Sequence, residues 1–130
     1  MADHTDLRGA RILLVDDMPA NLDLLYALLE PEGYKLSMAP NGEVALRIAT
    51  ETEAVPDLIL LDVMMPGMTG RQTLEKLREN PDFANVPAIF MTARAQPNEL
   101  EELRGIGATE VISKPFDPMS LADQIKAAIA

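Results

Sequence analysis

The sequence predicts an α/β fold in which five parallel strands alternate with five helices, (βα)5. Short apolar runs recur along the chain, and each is followed by a polar stretch with helical periodicity. Three of the runs are continuous, as in parallel strands that are covered on both faces, whereas the second alternates and predicts an edge strand. The predicted strands span residues 12–15, 34–38, 58–61, 88–91 and 111–113.

The segments between these runs carry apolar residues at helical spacing. Leu22, Leu25, Tyr26 and Leu29 fall at i, i+3, i+4 and i+7, which predicts an apolar stripe on a first helix. Pro19 fits the first turn of that helix, because a proline there loses no intrahelical hydrogen bond. The later helices are marked by Val44, Ala45 and Ile48; by Leu74 and Leu77; by Leu100, Leu103 and Ile106, ended by Gly105 and Gly107; and by Leu121, Ile125, Ala128 and Ile129 after Pro118.

Length and charge exclude several classes of protein. The chain has 130 residues, 48% of them hydrophobic, which suits one domain with a buried core and excludes a disordered acidic tail. With 11 basic and 21 acidic residues the net charge is −10, which argues against direct nucleic-acid binding. The absence of cysteine excludes a disulfide framework, a thiolate metal site and a cysteine nucleophile. No apolar run approaches the ~20 residues of a membrane span.

Chemically active side chains follow four of the five predicted strands. Asp16 and Asp17 follow the first strand, Asp62 the third, Thr92 the fourth and Lys114 the fifth. In a parallel sheet these positions share the carboxyl edge, where ligands of open α/β sheets bind. A single aspartate at such a junction is usually only a helix cap. Four strand ends of this kind together favour a functional site.

Three carboxylates, a hydroxyl and an ammonium group suit phosphoryl chemistry. Closely packed carboxylates repel one another unless a cation lies between them, and no arginine or histidine adjoins these strand ends. Oxygen ligands of this kind match Mg²⁺. One carboxylate can act as a nucleophile, while the lysine and the hydroxyl suit phosphoryl oxygens. The residues thus predict Mg²⁺-dependent phosphoryl transfer to an aspartate.

Four segments at these strand ends carry a family resemblance. They are Val15-Asp16-Asp17, Leu61-Asp62-Val63-Met64-Met65-Pro66-Gly67, Met91-Thr92-Ala93 and Ser113-Lys114-Pro115-Phe116. Together they resemble the motifs of the receiver domains of two-component response regulators. The resemblance implies a receiver domain at residues 11–130 after a polar tail at 1–10. It also implies a flavodoxin-like, CheY-like three-layer sandwich with strand order 2-1-3-4-5.

The resemblance assigns a metal site and a phosphoacceptor. Asp62 resembles the residue that takes a phosphoryl group from a phosphohistidine. Asp17, Asp62 and the backbone carbonyl of Met64 resemble direct Mg²⁺ ligands, and Asp16 resembles a residue that acts through a metal-bound water.

Other roles follow from the same resemblance. Thr92 and Lys114 are expected to bind phosphoryl oxygens, assisted by the backbone N–H of Ala93. The peptide bond before Pro115 is expected to be cis. In the family, phosphorylation draws the hydroxyl at the Thr92 position inward and the following loop and helix repack.

Three positions depart from the family pattern or modify it. A large aromatic residue normally stands three positions before the lysine, but here Val111 does, so a switch based on a rotating ring is not expected. Met64 and Arg94 occupy positions that influence the access of water to the phosphoryl group. Because neither side chain suits the orientation of an attacking water, we expect slow self-dephosphorylation.

The resemblance implies a cytoplasmic phosphorylation-controlled switch. Its donor would be a histidine kinase or a phosphotransfer protein, and its output would be protein–protein contact, without direct binding to nucleic acid or membrane. It would be no enzyme beyond catalysing its own phosphorylation and dephosphorylation. It would be a monomer or a weak dimer through the face of helix 4, strand 5 and helix 5.

Three alternatives stay open at this point. The chain can be a receiver cut from a larger regulator or hybrid kinase. A phosphohydrolase like the haloacid dehalogenases also uses an aspartate nucleophile. That class requires a second acidic residue at the position where this chain has Met64, and it usually has a cap domain. A passive flavodoxin-like interaction module is favoured only by Val111.

Some residues near the site are predicted to have structural roles. Gly67 and Gly70 resemble turn residues. The acidic stretch 99–102 is predicted to form the solvated face of the fourth helix. His4 lies in the polar tail. The cluster of Met64, Met65 and Met68 is expected to pack beneath its loop.

Overall fold

Five parallel strands form one sheet in the computed structural model, which describes residues 9–51, 55–93, 97–114 and 117–129. The strands are β1 (Arg11–Val15), β2 (Lys35–Ala39), β3 (Leu58–Asp62), β4 (Ala88–Thr92) and β5 (Glu110–Ser113). Their order across the sheet is β2-β1-β3-β4-β5, as the family resemblance predicted. The central strands β3 and β4 are buried along their whole length, while the edge strand β2 is mostly exposed.

Helices cover both faces of the sheet and complete a three-layer sandwich. Buried residues of the first and fifth helices form one core cluster with one face of the strands. Buried residues of the second, third and fourth helices form a second cluster on the opposite face. The helices are α1 (Pro19–Leu29), α2 (Gly42–Glu51), α3 (Gly70–Arg78), α4 (Pro97–Gly105) and α5 (Pro118–Ile129).

Two residues depart from the predicted apolar stripes. Leu22, Leu25 and Leu29 are buried on α1, but Tyr26 is 44% exposed. Its position lies at the edge of the stripe, farther round the helix than the three leucines. Ile106 lies beyond the last residue of α4 and packs against the core as part of the following loop.

Arg78 joins the α3–β4 and α4–β5 connections at the end of the sheet away from the carboxyl edge. Its guanidinium donates to the carbonyl of Phe83 at 2.8 Å, to that of Gly107 at 3.1 Å, and to that of Val86. Gly107 has φ of +104°, a conformation that L side chains rarely adopt. The chain just after α4 is therefore held firmly to the end of α3.

Candidate functional site

Three aspartates converge at the carboxyl edge of the sheet. Val15 pairs with Leu61 in the parallel register, so the next residues, Asp16 and Asp62, stand side by side. Asp16 is fully buried, Asp62 is 6% exposed and Asp17 is half-buried. One carboxylate oxygen of each aspartate lies within 4.8 Å of those of the other two. The structure thus brings the predicted acidic residues together.

Asp16 also organises the start of α1. Its Oδ1 accepts a hydrogen bond from the N–H of Met18 at 2.9 Å, and its Oδ2 accepts one from the side-chain amide of Asn21 at 3.3 Å. The capping position Met18 has no side-chain cap of its own. Asp16 therefore satisfies donors at the start of α1, as expected of an aspartate that caps a helix, and it still contributes a carboxylate to the cluster.

Lys114 supplies a positive charge to the cluster. Its ammonium lies 3.1 Å from Oδ2 of Asp16 and 3.3 Å from Oδ2 of Asp62. The backbone N–H of Lys114 donates to the carbonyl of Thr92 at 2.7 Å, which fixes the start of the lysine's loop beside β4. Only 18% of the lysine side chain is exposed. One ammonium group therefore serves two buried carboxylates.

The electrostatics at Asp62 show a shortage of positive charge. Burial raises the pKa of Asp62, and the neighbouring Asp16 raises this pKa further. The Lys114 ammonium and a hydrogen bond with the backbone of Met64 lower the pKa, but they offset the rise only in part. Three oxygen-donor side chains with one adjacent cation fit a hard divalent ion such as Mg²⁺.

Thr92 ends β4 next to Asp62 and is 2% exposed. Its hydroxyl donates to Oε1 of Glu99, in the first turn of α4, at 3.4 Å. The prediction of a solvated face is correct for Glu101 and Glu102, which are exposed, but Glu99 is half-buried and turns towards Thr92. The sequence signal for this contact is an acidic residue, Glu99, in the first turn of the helix that follows Thr92.

Gly70 lies directly against the phosphoacceptor candidate. A Cβ at this position would come within 2.0 Å of the carbonyl oxygen of Asp62. The N–H of Gly70 donates to the carbonyl of Val63 at 3.0 Å, and Thr69 caps the helix that begins here. The expectation of a turn is correct for Gly67, which has φ of +75°, but Gly70 is needed for close packing.

The methionine cluster divides between core and surface. Met65 is buried as predicted, whereas Met64 is 74% exposed, because its side chain projects from the loop after β3. Val111 is half-buried and packs against the core. Ala93 is exposed. The residues Arg94, Pro115, Phe116 and His4, on which other expectations rest, lie outside the described residues.

A family comparison identifies the family to which this fold belongs. The model of the response regulator receiver domain matches residues 12–126. The chain belongs to the response regulator receiver domain family. This confirms the resemblance seen in the four strand-end segments.

Relatives of this receiver domain occur in proteins of different lengths. It is 33% identical to protein PilH of Pseudomonas aeruginosa over 121 residues, which cover 93% of this chain and 98% of PilH. It is 39% identical to response regulator PleD of Caulobacter vibrioides over 118 residues, 91% of this chain but 26% of PleD. It is 40% identical to sensor histidine kinase GacS of Pseudomonas protegens over 121 residues, 91% of this chain and 13% of GacS.

Solved receiver structures share its fold closely. Chemotaxis protein CheY4 of Vibrio cholerae superposes with a TM-score of 0.87 at 29% identity, covering 92% of this chain and 98% of CheY4. The receiver domain of sensor histidine kinase PA1611 from Pseudomonas aeruginosa superposes with a TM-score of 0.83 at 30% identity, covering 93% and 98%. That structure holds a magnesium ion in its active-site cleft. In the described part of the present receiver domain, no helix is long and apolar enough to cross a membrane.

Proposed function

We propose that this receiver domain is a phosphorylation-controlled switch whose phosphoacceptor is Asp62. Receiver domains work with histidine kinases or phosphotransfer proteins in two-component systems. The observation that carries the proposal is the juxtaposition of three carboxylates, within 4.8 Å of one another, with an ammonium group 3.3 Å from Asp62. This set provides a nucleophile, a place for a cation and a partner for phosphoryl oxygens.

The proposed reaction needs few groups. A carboxylate oxygen of Asp62 attacks the phosphorus of a phosphohistidine, the P–N bond breaks, and the imidazole nitrogen leaves with the electron pair and is protonated. The product is an acyl phosphate, which water later hydrolyses to restore the carboxylate. The donor of this reaction is a histidine kinase or a phosphotransfer protein.

The neighbouring side chains hold the transferred group. Lys114, already beside Asp62, pairs with one phosphoryl oxygen, and the hydroxyl of Thr92 donates to another. Asp17, Asp62 and the carbonyl of Met64 would hold Mg²⁺ directly, and Asp16 would act through a water. When bound, the cation neutralises the charge that accumulates on the phosphoryl oxygens.

The same proposal covers the setting of the domain. The receiver unit is residues 11–130, it acts in the cytoplasm, and it signals by protein–protein contact as a monomer or a weak dimer. It catalyses only its own phosphorylation and dephosphorylation. This proposal needs no direct contact with nucleic acid or membrane.

Intact-mass spectrometry tests the proposal. The protein is incubated with Mg²⁺ and acetyl phosphate, a small phosphodonor, in three forms: wild type, Asp62→Asn and the surface control Asp23→Asn. We expect wild type and Asp23→Asn to gain about one phosphoryl mass (~80 Da), lost on treatment with hydroxylamine and absent with EDTA. Asp62→Asn is expected to gain nothing. A folded wild type without an adduct, or an equal adduct on Asp62→Asn, would overturn the proposal.

A further inference from the structure

The hydroxyl of Thr92 already has an acceptor in the described structure. It donates to Oε1 of Glu99 at 3.4 Å. Thr92 is buried at the end of β4, and Glu99 reaches it from the first turn of α4 as a half-buried side chain. This contact joins the edge of the proposed phosphoryl site to α4.

A threonine hydroxyl carries a single hydrogen and can donate it to one acceptor at a time. In the function proposed above, the Thr92 hydroxyl donates to a phosphoryl oxygen on Asp62. Glu99 and the phosphoryl group are therefore alternative acceptors for the same hydrogen. We infer that Glu99 is a positioning residue that competes for Thr92 and so lowers the phosphorylated fraction of Asp62. The inference rests on the proposed function.

Charge acts in the same direction as this competition. The negative charge of the Glu99 carboxylate repels the negative charge of a phosphoryl group on Asp62. A cleft of about 490 Å³ lies beside this contact and is lined in part by Met64, Arg71 and Glu99. The cleft gives the Glu99 side chain room to turn away when Thr92 changes its acceptor.

A second acid on α4 provides a matched control. Glu102 lies about one helical turn after Glu99 and pairs with Arg71 at 2.7 Å, with 59% of its side chain exposed. This pair joins α4 to α3. Glu102→Met therefore removes a charge and a contact of α4 while leaving the hydrogen bond from Thr92 to Glu99 in place.

The experiment measures the ratio of phosphorylated to unphosphorylated protein at several acetyl phosphate concentrations and fixed Mg²⁺. We expect Glu99→Met to raise this ratio about three- to tenfold, the range for losing one partly exposed hydrogen bond, because methionine has a similar length but no carbonyl or carboxylate oxygen to accept from Thr92. Glu102→Met is expected to stay within about twofold of wild type, because an exposed ion pair contributes little. Thermal midpoints establish that each variant is folded, and Glu99→Ala replaces Glu99→Met if the latter does not fold.

The Thr92→Val background separates the hydrogen bond from charge. Valine keeps the shape of threonine but has no hydroxyl, so the competition is expected to vanish and the effect of Glu99→Met to fall to that of Glu102→Met. A full-sized effect in this background would overturn the inference. So would equal ratios in Glu99→Met and wild type when the wild type is phosphorylated. A wild type that takes no phosphoryl group would instead overturn the proposed function, and this inference with it.

Discussion

The ammonium nitrogen of Lys114 lies 3.3 Å from Oδ2 of Asp62. The same nitrogen lies 3.1 Å from Oδ2 of Asp16, so one cation bridges two carboxylates that neighbouring strands bring together. Both carboxylates are almost completely buried. The stability of the fold and the affinity of the site for cations therefore depend on the same few charges.

Removal of the bridging cation is expected to destabilise the fold at neutral pH. In Lys114→Met two buried carboxylates lose a charged hydrogen-bond partner, and we expect the free energy of unfolding to fall by about 1–3 kcal/mol. Urea unfolding at pH 7 checks this. The control is Lys126→Met, which removes an exposed ion pair with Glu32 at 3.4 Å and is expected to cost less than about 0.5 kcal/mol. Equal losses in the two variants would contradict the bridging role.

Mg²⁺ is expected to stabilise the folded chain, because the three-aspartate cluster is assembled only on folding. At a concentration ten times its dissociation constant, a ligand of the folded state alone adds about 1.4 kcal/mol. Thermal unfolding with and without Mg²⁺ measures this gain. We expect Asp17→Asn to abolish most of it and Asp23→Asn, on the exposed side of α1, to retain it. An undiminished gain in Asp17→Asn would place the ion elsewhere.

Asp62→Asn is expected to be more stable than wild type at pH 7 in EDTA. Burial first, and Asp16 second, raise the pKa of Asp62 in the folded state. A carboxyl whose pKa is higher in the folded than in the unfolded state stabilises the fold while it is protonated. This stabilisation is complete below the unfolded pKa of about 3.9 and is lost as the pH rises through the folded pKa. At pH 7 the buried Asp62 carboxylate of the wild type is ionised, which lowers the free energy of unfolding. The side-chain amide of Asp62→Asn is neutral and does not have this effect.

The difference in melting temperature between Asp62→Asn and wild type tests this prediction. We expect Asp62→Asn to melt above wild type at pH 7, and in a domain of this size each 1 kcal/mol of difference corresponds to roughly 3–6 °C. The difference is expected to shrink towards pH 3.5, where the wild-type carboxyl is protonated. A difference that stays constant between these pH values would show that the charge of Asp62 is not its cause.

Gly70→Ala is expected to disturb both stability and the site. The added Cβ would meet the carbonyl oxygen of Asp62 at 2.0 Å, so either α3 or the end of β3 must shift. We expect a loss of about 2–3 kcal/mol, in the range of overpacked core substitutions, together with weaker phosphorylation of Asp62. Gly105→Ala is the control, since a Cβ there meets nothing within 4 Å. A Gly70→Ala variant as stable as Gly105→Ala would contradict the close approach.

Much of the fold follows from local pattern. The apolar runs that predicted the strands are the segments buried between two helical layers, so hydrophobicity alone locates β3 and β4. The meeting of Asp16 with Asp62 follows from parallel strands ending at one edge. The strand order came from the family resemblance, because hydrophobic periodicity does not say which strands are neighbours.

The contacts that escaped prediction depend on packing between elements. The approach of Gly70 to Asp62 is set by how α3 lies against the end of β3, and a glycine at a turn shows the same local sequence signal. The hydrogen bond between Thr92 and Glu99 depends on the direction of α4 and on a side-chain rotamer. The exposure of Tyr26 likewise reflects the angle at which α1 packs on the sheet.

The two ends of α4 are restrained very differently. Beyond its C-terminus, Arg78 holds the carbonyl of Gly107, and Leu103 in the last turn is fully buried. Near its N-terminus, the side chain of Glu99 meets Thr92 through a hydrogen bond of 3.4 Å. The firmer anchor of α4 is therefore at its C-terminal end. A displacement of Thr92 would then reach a partner as a change in the direction of the helix axis, not as a translation of the whole helix.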